Sequence, residues 1–544
     1  KVETQLLSKN NILDMDTNDF GIRTIDFNEL GFFLNNKLTL LKGVCLHHDG
    51  GCVGAVVPSK VWKRRLLKLK SMGCNAIRTA HNPPSKVFLD LCDKMGFLVV
   101  DEAFDAWYEP KRIGGFGGIS FLKHWKQELS SFVRRDRNHP SVVLWSLGNE
   151  IGYAQTWLGL KYHDKMKELV NSIDGSRPVT TTFSPRNVRI EQKRINKGKG
   201  KLLGDRCDVI CMNYTESRIP LFHKTWPRKS IIIGEAHHYY RNKLPAETHL
   251  PESPLHPGCT TRNPWYDVLE HDCCCGQFLW VGIEYLGEVR DPYPYHGRTN
   301  APIRINGFLK PQAGFHSSVW LDDPYIHVSV LDEEADIPRG KPQFDFPKIV
   351  CHWNFNKSNN SKKREIWTFT NCPKVELVLN GESLGEKLSK EHPYNTMKWQ
   401  IDYRPGRLEA IGKNLEGKEL AHSFLETAGP PEKLKLSLDE DKIIADGNDC
   451  VHVEISLQDE KGTIIQTDER SILIDIAGPA RLIGIDSGDL SKFTEKGAYQ
   501  QNSCKLYWGR ALAIVQSKLD PGKIVIRVRL DGLESAETTI QAVA

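Results

Sequence analysis

At 544 residues the chain is too long for one hydrophobic core, and its length predicts about three to four domains. Its 40% hydrophobic and 26% charged residues are those of a globular protein, and a formal net charge of +5 spread over this length gives no reason to expect nucleic acid. No window of about 18 apolar residues exists, which argues against a membrane-spanning helix.

Residues 1–37 contain short strand-like pieces, Thr4–Leu7 and Gly21–Asp26, and end at the turn Asn35-Asn36. They hold too few apolar residues for a core and read as the last strands of a β-sandwich whose earlier strands are absent. From 38 to 335 short apolar runs alternate with helical patterns. Strands are expected at Leu38–Leu46, Asn75–Arg78, Phe97–Val100, Val142–Leu147, Val179–Thr182, Val209–Met212, Ser230–Ile233 and Gln277–Trp280. Helices are expected at Ser59–Met72, Ser85–Met95, Phe121–Arg135, Gln155–Ile173 and about Pro264–His271. In the first of these, Trp62, Leu66 and Leu69 share a face while Lys63, Arg64, Lys68 and Lys70 decorate the rest. Eight strands in alternation with helices predict a (β/α)8 TIM barrel. No glycine-rich phosphate loop appears where a nucleotide-binding sheet would need one. The basic run Lys193–Lys201 reads as a solvated loop.

Beyond residue 345 the helical period disappears. Alternating segments such as Glu365–Lys387 and Lys398–Ala410 predict one β-sandwich over 345–428. After the linker Gly429-Pro430-Pro431, residues 432–544 repeat the pattern as a second, immunoglobulin-like sandwich. The 14 cysteines are spread along the whole chain. Cys45, Cys74, Cys207, Cys211 and Cys275 fall in or beside apolar runs, and the triplet Cys273-Cys274-Cys275 lacks the spacing of a zinc site. No disulfide framework is indicated.

In a barrel the chemistry gathers where the strands end. Here those ends carry His47-His48-Asp49; Arg78 followed by His81; Asp101-Glu102 followed by Asp105 and Trp107; Asn149-Glu150; Asn213-Tyr214; Glu235 followed by His237-His238; and Trp280. Glu150 follows a buried run, Val142–Leu147, and burial there would raise its pKa toward that of a general acid. A helix-capping or surface role is the alternative. Glu150 and Glu235 come from strands on opposite sides of the mouth, and two facing carboxylates are the minimum equipment for glycoside hydrolysis.

The runs GVCLHHDGG (43–51), MGCNAIRTAHNPP (72–84), GFLVVDEAFDAW (96–107) and NHPSVVLWSLGNE (138–150) resemble the barrel signatures of glycoside hydrolase family 2, the β-galactosidase, β-glucuronidase and β-mannosidase family. IIIGEAHH (231–238) and GQFLWVGIEYLGE (276–288) fit its later motifs. The resemblance implies a retaining double displacement with Glu150 as general acid/base and Glu235 as nucleophile. It implies Asn149 on the sugar 2-hydroxyl, Tyr214 orienting the nucleophile, and His47, His81, Asp105 and Trp280 around the terminal sugar. Some family members carry a magnesium site built from the acid/base carboxylate with a Glu and a His after strand three. Here that region reads Asp105-Ala106-Trp107, so no metal and no cofactor are expected. The adjacent histidines at 47–48 and 237–238 would point to opposite faces of a strand, which favours sugar contacts over metal ligation.

The expected activity is exo-β-glycosidase, β-galactosidase first. A β-glucuronidase, or a β-galactosidase for modified galactans, is the alternative, with Arg112, Arg241 and Lys243 as the residues that would discriminate. A non-catalytic carbohydrate-binding protein is the reading from another class. The expected partner is an oligosaccharide or glycoside, with no nucleic acid and no membrane, and homo-oligomerisation is left open. Localisation stays open too, with a lean to the periplasm or extracellular space.

Overall fold

The computed structural model describes the chain except residues 10, 112–116, 199–201, 240–262, 290–291, 336–345, 356–362, 393 and 493–500. Eight parallel strands close a barrel: β1 (Leu41–Leu46), β2 (Ala76–Thr79), β3 (Leu98–Glu102), β4 (Val142–Asn149), β5 (Val179–Phe183), β6 (Ile210–Asn213), β7 (Ile231–Ala236) and β8 (Cys274–Leu279), with β8 pairing back onto β1. The intervening helices are α1 (Ser59–Ser71), α2 (Lys86–Met95), α3 (Ile119–Asp136), α4 (Trp157–Ile173), α5 (Pro185–Asn196), α6 (Ile219–Thr225), α7 (Trp265–Leu269) and α8 (Pro311–Trp320). One apolar cluster fills the space between strands and helices. A second, with Cys45, Val100, Leu144, Cys211, Ile232 and Phe278, lies in the barrel lumen.

Local chemistry explains the helix boundaries. Ser85 accepts the Phe88 N–H to start α2, and left-handed Gly96 ends it. Helix α5 was not anticipated from sequence, and the expected solvated loop begins inside its last turn. Its N-terminus is a reciprocal cap between Ser184 and Asn187, with Pro185 in the first turn. Its body is so basic that the apolar period is faint.

Three further expectations are corrected by packing. Phe32, on the small antiparallel sheet Ile25–Asn28, Gly31–Leu34 and Lys37–Leu38, is fully buried in the barrel's lumen cluster, so these residues serve the barrel. The strand Ile326–Leu331, expected within the barrel span, pairs instead with Lys363–Thr370 of the first sandwich. Arg64, expected outside the apolar face of its helix, is buried and donates to the Asn306 carbonyl (2.8 Å) and to Glu454 of the last sandwich (2.7 Å). Periodicity identifies a polar face but not whether water or another domain meets it.

The first sandwich packs the sheet containing Ile326–Leu331, Ile349–Val350, Lys363–Thr370 and Thr396–Asp402 on the sheet containing Lys374–Leu379, Glu382–Leu388, Arg407–Lys413 and Glu419–Glu426. The second packs a four-stranded sheet on a five-stranded one around Val451, Val453, Ile474, Val515 and Ile526. At the other end, Val2–Ser8 and Asn11–Asn18 form an antiparallel hairpin exposed along its length. Among the described residues no helix is long and apolar enough to cross a membrane, and the described cysteines are unpaired thiols.

The interior holds several histidines kept neutral by burial. His163 and His316 are pushed down to about 3 and His327 to about 4, while His238 lies well below its ordinary value. Below the unfolded value of about 6.5 the unfolded chain binds protons that the folded chain refuses. Thermal stability is therefore expected to be level near neutral pH and to fall steadily from about pH 6 downward. A melting temperature that stays constant or rises on acidification to about pH 4 would contradict this.

Candidate active site

The C-terminal ends of the barrel strands surround a cleft of about 960 Å³. Asn149, Glu150, Glu235, Tyr214, His47, His81, Asp105 and Trp280 all line it, so the residues singled out from sequence converge on one place. Glu150 and Tyr214 both adopt left-handed backbone, φ +48° and +52°, which non-glycine residues seldom hold without support. The support is visible: the Glu150 N–H donates to the Thr182 carbonyl (2.9 Å) and the Tyr214 N–H to the Glu235 carbonyl (2.8 Å). Each turn lifts a side chain over the mouth as its strand ends. Gly148 and Gly234 permit close approach just beneath. A Cβ on Gly148 would meet the Trp107 indole nitrogen at 2.7 Å, and one on Gly234 would meet Cys211 Sγ at 2.6 Å.

A buried arginine organises the floor. Arg78 is fully enclosed. Its guanidinium donates to both oxygens of Glu102 (2.9–3.2 Å), to Glu235 Oε1 (3.1 Å), to Asn149 Oδ1 (2.8 Å) and to the Gly234 carbonyl (2.9 Å). Burial opposes its charge, but Glu102 and Glu235 outweigh that and hold its pKa above the ordinary value. Burial would likewise raise Glu102, yet Arg78 and His81 bring it down to about 2. Tyr214 hydrogen-bonds Glu235, and burial followed by that carboxylate pushes the phenol well up, so it stays a donor.

Glu150 sits in a different field. Among the described residues it accepts a hydrogen bond from Asn213 Nδ2 (3.0 Å) and none from a guanidinium. Burial and then the charge of Glu235 raise its pKa, with Asn213 and Lys111 opposing. Of the two carboxyl groups, Glu150 is thus the one whose surroundings favour its protonated form.

Around them, His81 stacks on Trp280 at 5.0 Å and 8°. His47 lies 4.0 Å from Tyr285 and is kept neutral, down to about 3, by burial and then by His81. Asp105 stands at the rim in an ion pair with Lys111 (2.6 Å). Trp107 lies below the cleft, donating to the Leu147 carbonyl (2.9 Å), and His238 faces His316 at 3.2 Å rather than the cleft. Arg112, Arg241 and Lys243 lie outside the described residues. Among the described residues, one group of possible ligands, Asp90, Asp93 and His139, comes close enough to share a cation, but none of the three lines the cleft.

Arg78, Glu102 and Asn213 were noted from sequence only as strand ends. The signal was a charge inside an apolar run on each of two neighbouring strands, since buried charges need partners. Tyr285, Glu288 and Arg298 also line the cleft. They come from the segment after β8, which has no period to read. Replacing Arg78 by Met leaves Glu102 buried without its cation and is expected to cost about 3–5 kcal/mol of stability. Urea unfolding would measure this, and a loss below about 1 kcal/mol would show that the pair matters little.

Comparison with known proteins bears on this geometry. Residues 25–220 match the family model "Glycosyl hydrolases family 2, TIM barrel domain", 434–539 match "Glycoside hydrolase family 2 C-terminal domain 5", and 361–421 match a domain of unknown function. The chain is 29% identical to the β-galactosidase BoGH2A of Bacteroides ovatus over 99% of itself and 66% of that protein. It is 28% identical to a putative β-glucuronidase of Formosa agariphila, over 90% of itself and 47% of that protein. It therefore spans between about half and two thirds of these relatives. The crystal structure of a glycosyl hydrolase family 2 member from Bacteroides cellulosilyticus superposes with a TM-score of 0.87 at 31% identity, covering 99% of this chain and 67% of that one. A TIM barrel matching the family's catalytic domain, a matching C-terminal domain and this superposition together show that the chain belongs to glycoside hydrolase family 2.

Proposed function

We propose that this protein is a retaining exo-β-glycosidase of β-galactosidase type, releasing a terminal non-reducing β-linked sugar from an oligosaccharide. The observation that carries the reading is the asymmetric pair of carboxyl groups: Glu235 clamped by Arg78 and Tyr214, Glu150 raised by burial and by Glu235. The relative named as a β-galactosidase supports the choice of sugar.

In the first step the ionised Glu235 carboxylate attacks the anomeric carbon as Glu150 gives its proton to the departing glycosidic oxygen. The C–O bond to the leaving group breaks and a glycosyl ester to Glu235 forms. In the second step Glu150, now a carboxylate, takes a proton from water, whose oxygen displaces Glu235 with net retention. Retention requires the two carboxyl groups about 5–5.5 Å apart. Asn149 would serve the sugar 2-hydroxyl. His47, His81, Asp105 and Trp280 would hold the ring, with Trp280 offering an apolar face. No step calls for a metal or cofactor.

Arg298 lies in the cleft wall, with its Nε donating to Asn300 (2.7 Å). That cation, together with the relative named as a putative β-glucuronidase, favours as second reading a sugar bearing an acidic group. A panel of p-nitrophenyl glycosides decides. Hydrolysis of the glucuronide and not the galactoside would replace the first reading with the second, and a wild-type protein that cleaves no glycoside would leave only a binding role.

Glu235→Gln is expected to abolish turnover of every substrate the wild type accepts, and full retained rate would remove Glu235 from the mechanism. Glu150→Gln should slow glycosides with poor leaving groups by about 10²–10⁴-fold and activated aryl glycosides much less. The pH profile carries a sign. Glu150 must be protonated for the first step, so kcat/KM should fall as pH rises through its elevated pKa. Glu150→Gln should lack that alkaline limb, and an unchanged limb would assign it to another group.

A further inference from the structure

The floor of the cleft contains a carboxylate to which the double displacement gives no task. Glu102 is fully buried beneath Arg78 and His81 and does not line the cleft. Besides Arg78, it takes hydrogen bonds from His81 Nδ1 (2.8 Å) and the Ser146 hydroxyl (2.7 Å). Its own backbone N–H donates to Thr79 Oγ1 (3.0 Å), which fixes the point from which the side chain springs.

An ionised carboxylate only accepts. The contact with Glu102 therefore requires that the His81 proton sit on Nδ1. In the neutral ring Nε2 is then an acceptor, and it lies 3.2 Å from Asn149 Nδ2, which is a donor. Asn149 Oδ1 in turn accepts from Arg78 (2.8 Å) and from Asn213 Nδ2 (3.3 Å). With the proton on Nδ1, Glu102 and Asn149 both meet complementary groups on the ring, while the longer approaches of Arg78 Nη2 to Nδ1 (3.5 Å) and of Glu235 Oε1 to Nε2 (3.8 Å) are not complementary. Moving the His81 proton to Nε2 would set a lone pair against the Glu102 carboxylate and an N–H against the Asn149 amide. Turning the Asn149 amide over would set its NH₂ against two donors. Stacking on Trp280 holds the His81 ring in place.

We propose that Glu102 is a positioning residue: it sets the tautomer of His81 and, through it, the orientation of the Asn149 amide. One Asn149 N–H is used by His81, and the other remains for a hydroxyl of the bound sugar. The proposal rests on the glycosidase reading only for what that last N–H meets. The placement of the proton stands on the network alone.

The first test needs no turnover. Protein labelled at the histidine ring nitrogens, with His81→Gln to identify the resonance, should show His81 protonated at Nδ1 and bare at Nε2 near neutral pH. Glu102→Gln should shift that signal toward the other tautomer or a mixture, while Glu102→Asp, which keeps the carboxylate, should preserve it. A wild-type His81 protonated at Nε2, or a pattern unchanged in Glu102→Gln, overturns the proposal. The second test is a double-mutant cycle. Glu102→Gln should lower kcat about 100-fold with little change in KM. Added to Asn149→Ala it should cause no further loss, since the two act as a unit. Losses that multiply would overturn it. A protein that cleaves no glycoside yet shows the Nδ1 proton would sustain the proposal and sink the reading of function.

Discussion

The cleft depends on one buried cation. Arg78 lies in the barrel lumen with two carboxylates, an amide and a main-chain carbonyl on its donors. Two charges about 4 Å apart attract by about 4 kcal/mol at an effective dielectric of 20, and a guanidinium has enough donors to hold several partners in fixed directions. Enclosing Arg78 without those anions would be far more costly than any apolar packing could offset. The barrel accommodates it because β3, β4 and β7 each end with a group that accepts from it. The ion pair is thus a condition on three strand ends at once, and it ties their registers to the site.

The strands were legible in the sequence because a parallel strand buried on both faces is written as an uninterrupted apolar run. Ile231-Ile232-Ile233 and Val142–Leu147 leave no other reading. What escaped did so for identifiable reasons. Helix α5 has a strong cap but a charged body. Ile326–Leu331 is an apolar run like any barrel strand, and only its pairing with Lys363–Thr370 assigns it to a sandwich. The burial of Arg64 could not be read locally because its neighbour Glu454 lies 390 residues away in sequence.

The site was legible to a similar depth. Carboxylates and imidazoles at strand ends announce themselves, and Glu150, Glu235, His47 and His81 meet in one cleft. The groups that give them their character were harder to see. Tyr285 and Arg298 arrive from a segment without periodicity. Glu102 and Arg78 sit one strand apart, and nothing local shows that one side chain reaches from there to Glu235. Function is written in residue types at strand ends, whereas the tuning of those residues is written in contacts across the lumen.

That tuning explains why the two carboxyl groups of the cleft are not interchangeable. On the floor, Glu102 and Glu235 share the Arg78 guanidinium. Among the described residues the hydrogen-bond partner of Glu150 is the neutral amide of Asn213, and Lys111 is engaged by Asp105 at the rim. Ionisation of Glu150 is therefore disfavoured both by burial and by the charge already placed on Glu235. In the proposed mechanism the assignment of acid and nucleophile would then follow from where Arg78 points, not from any difference between two glutamates. After the proposed glycosyl ester forms on Glu235, that negative charge is gone. The charge that raises the Glu150 pKa would then be lost at the step in which it has to act as a base. In the proposed mechanism the same geometry that favours Glu150 as an acid in the free cleft would thus prepare it to change roles once its neighbour is esterified.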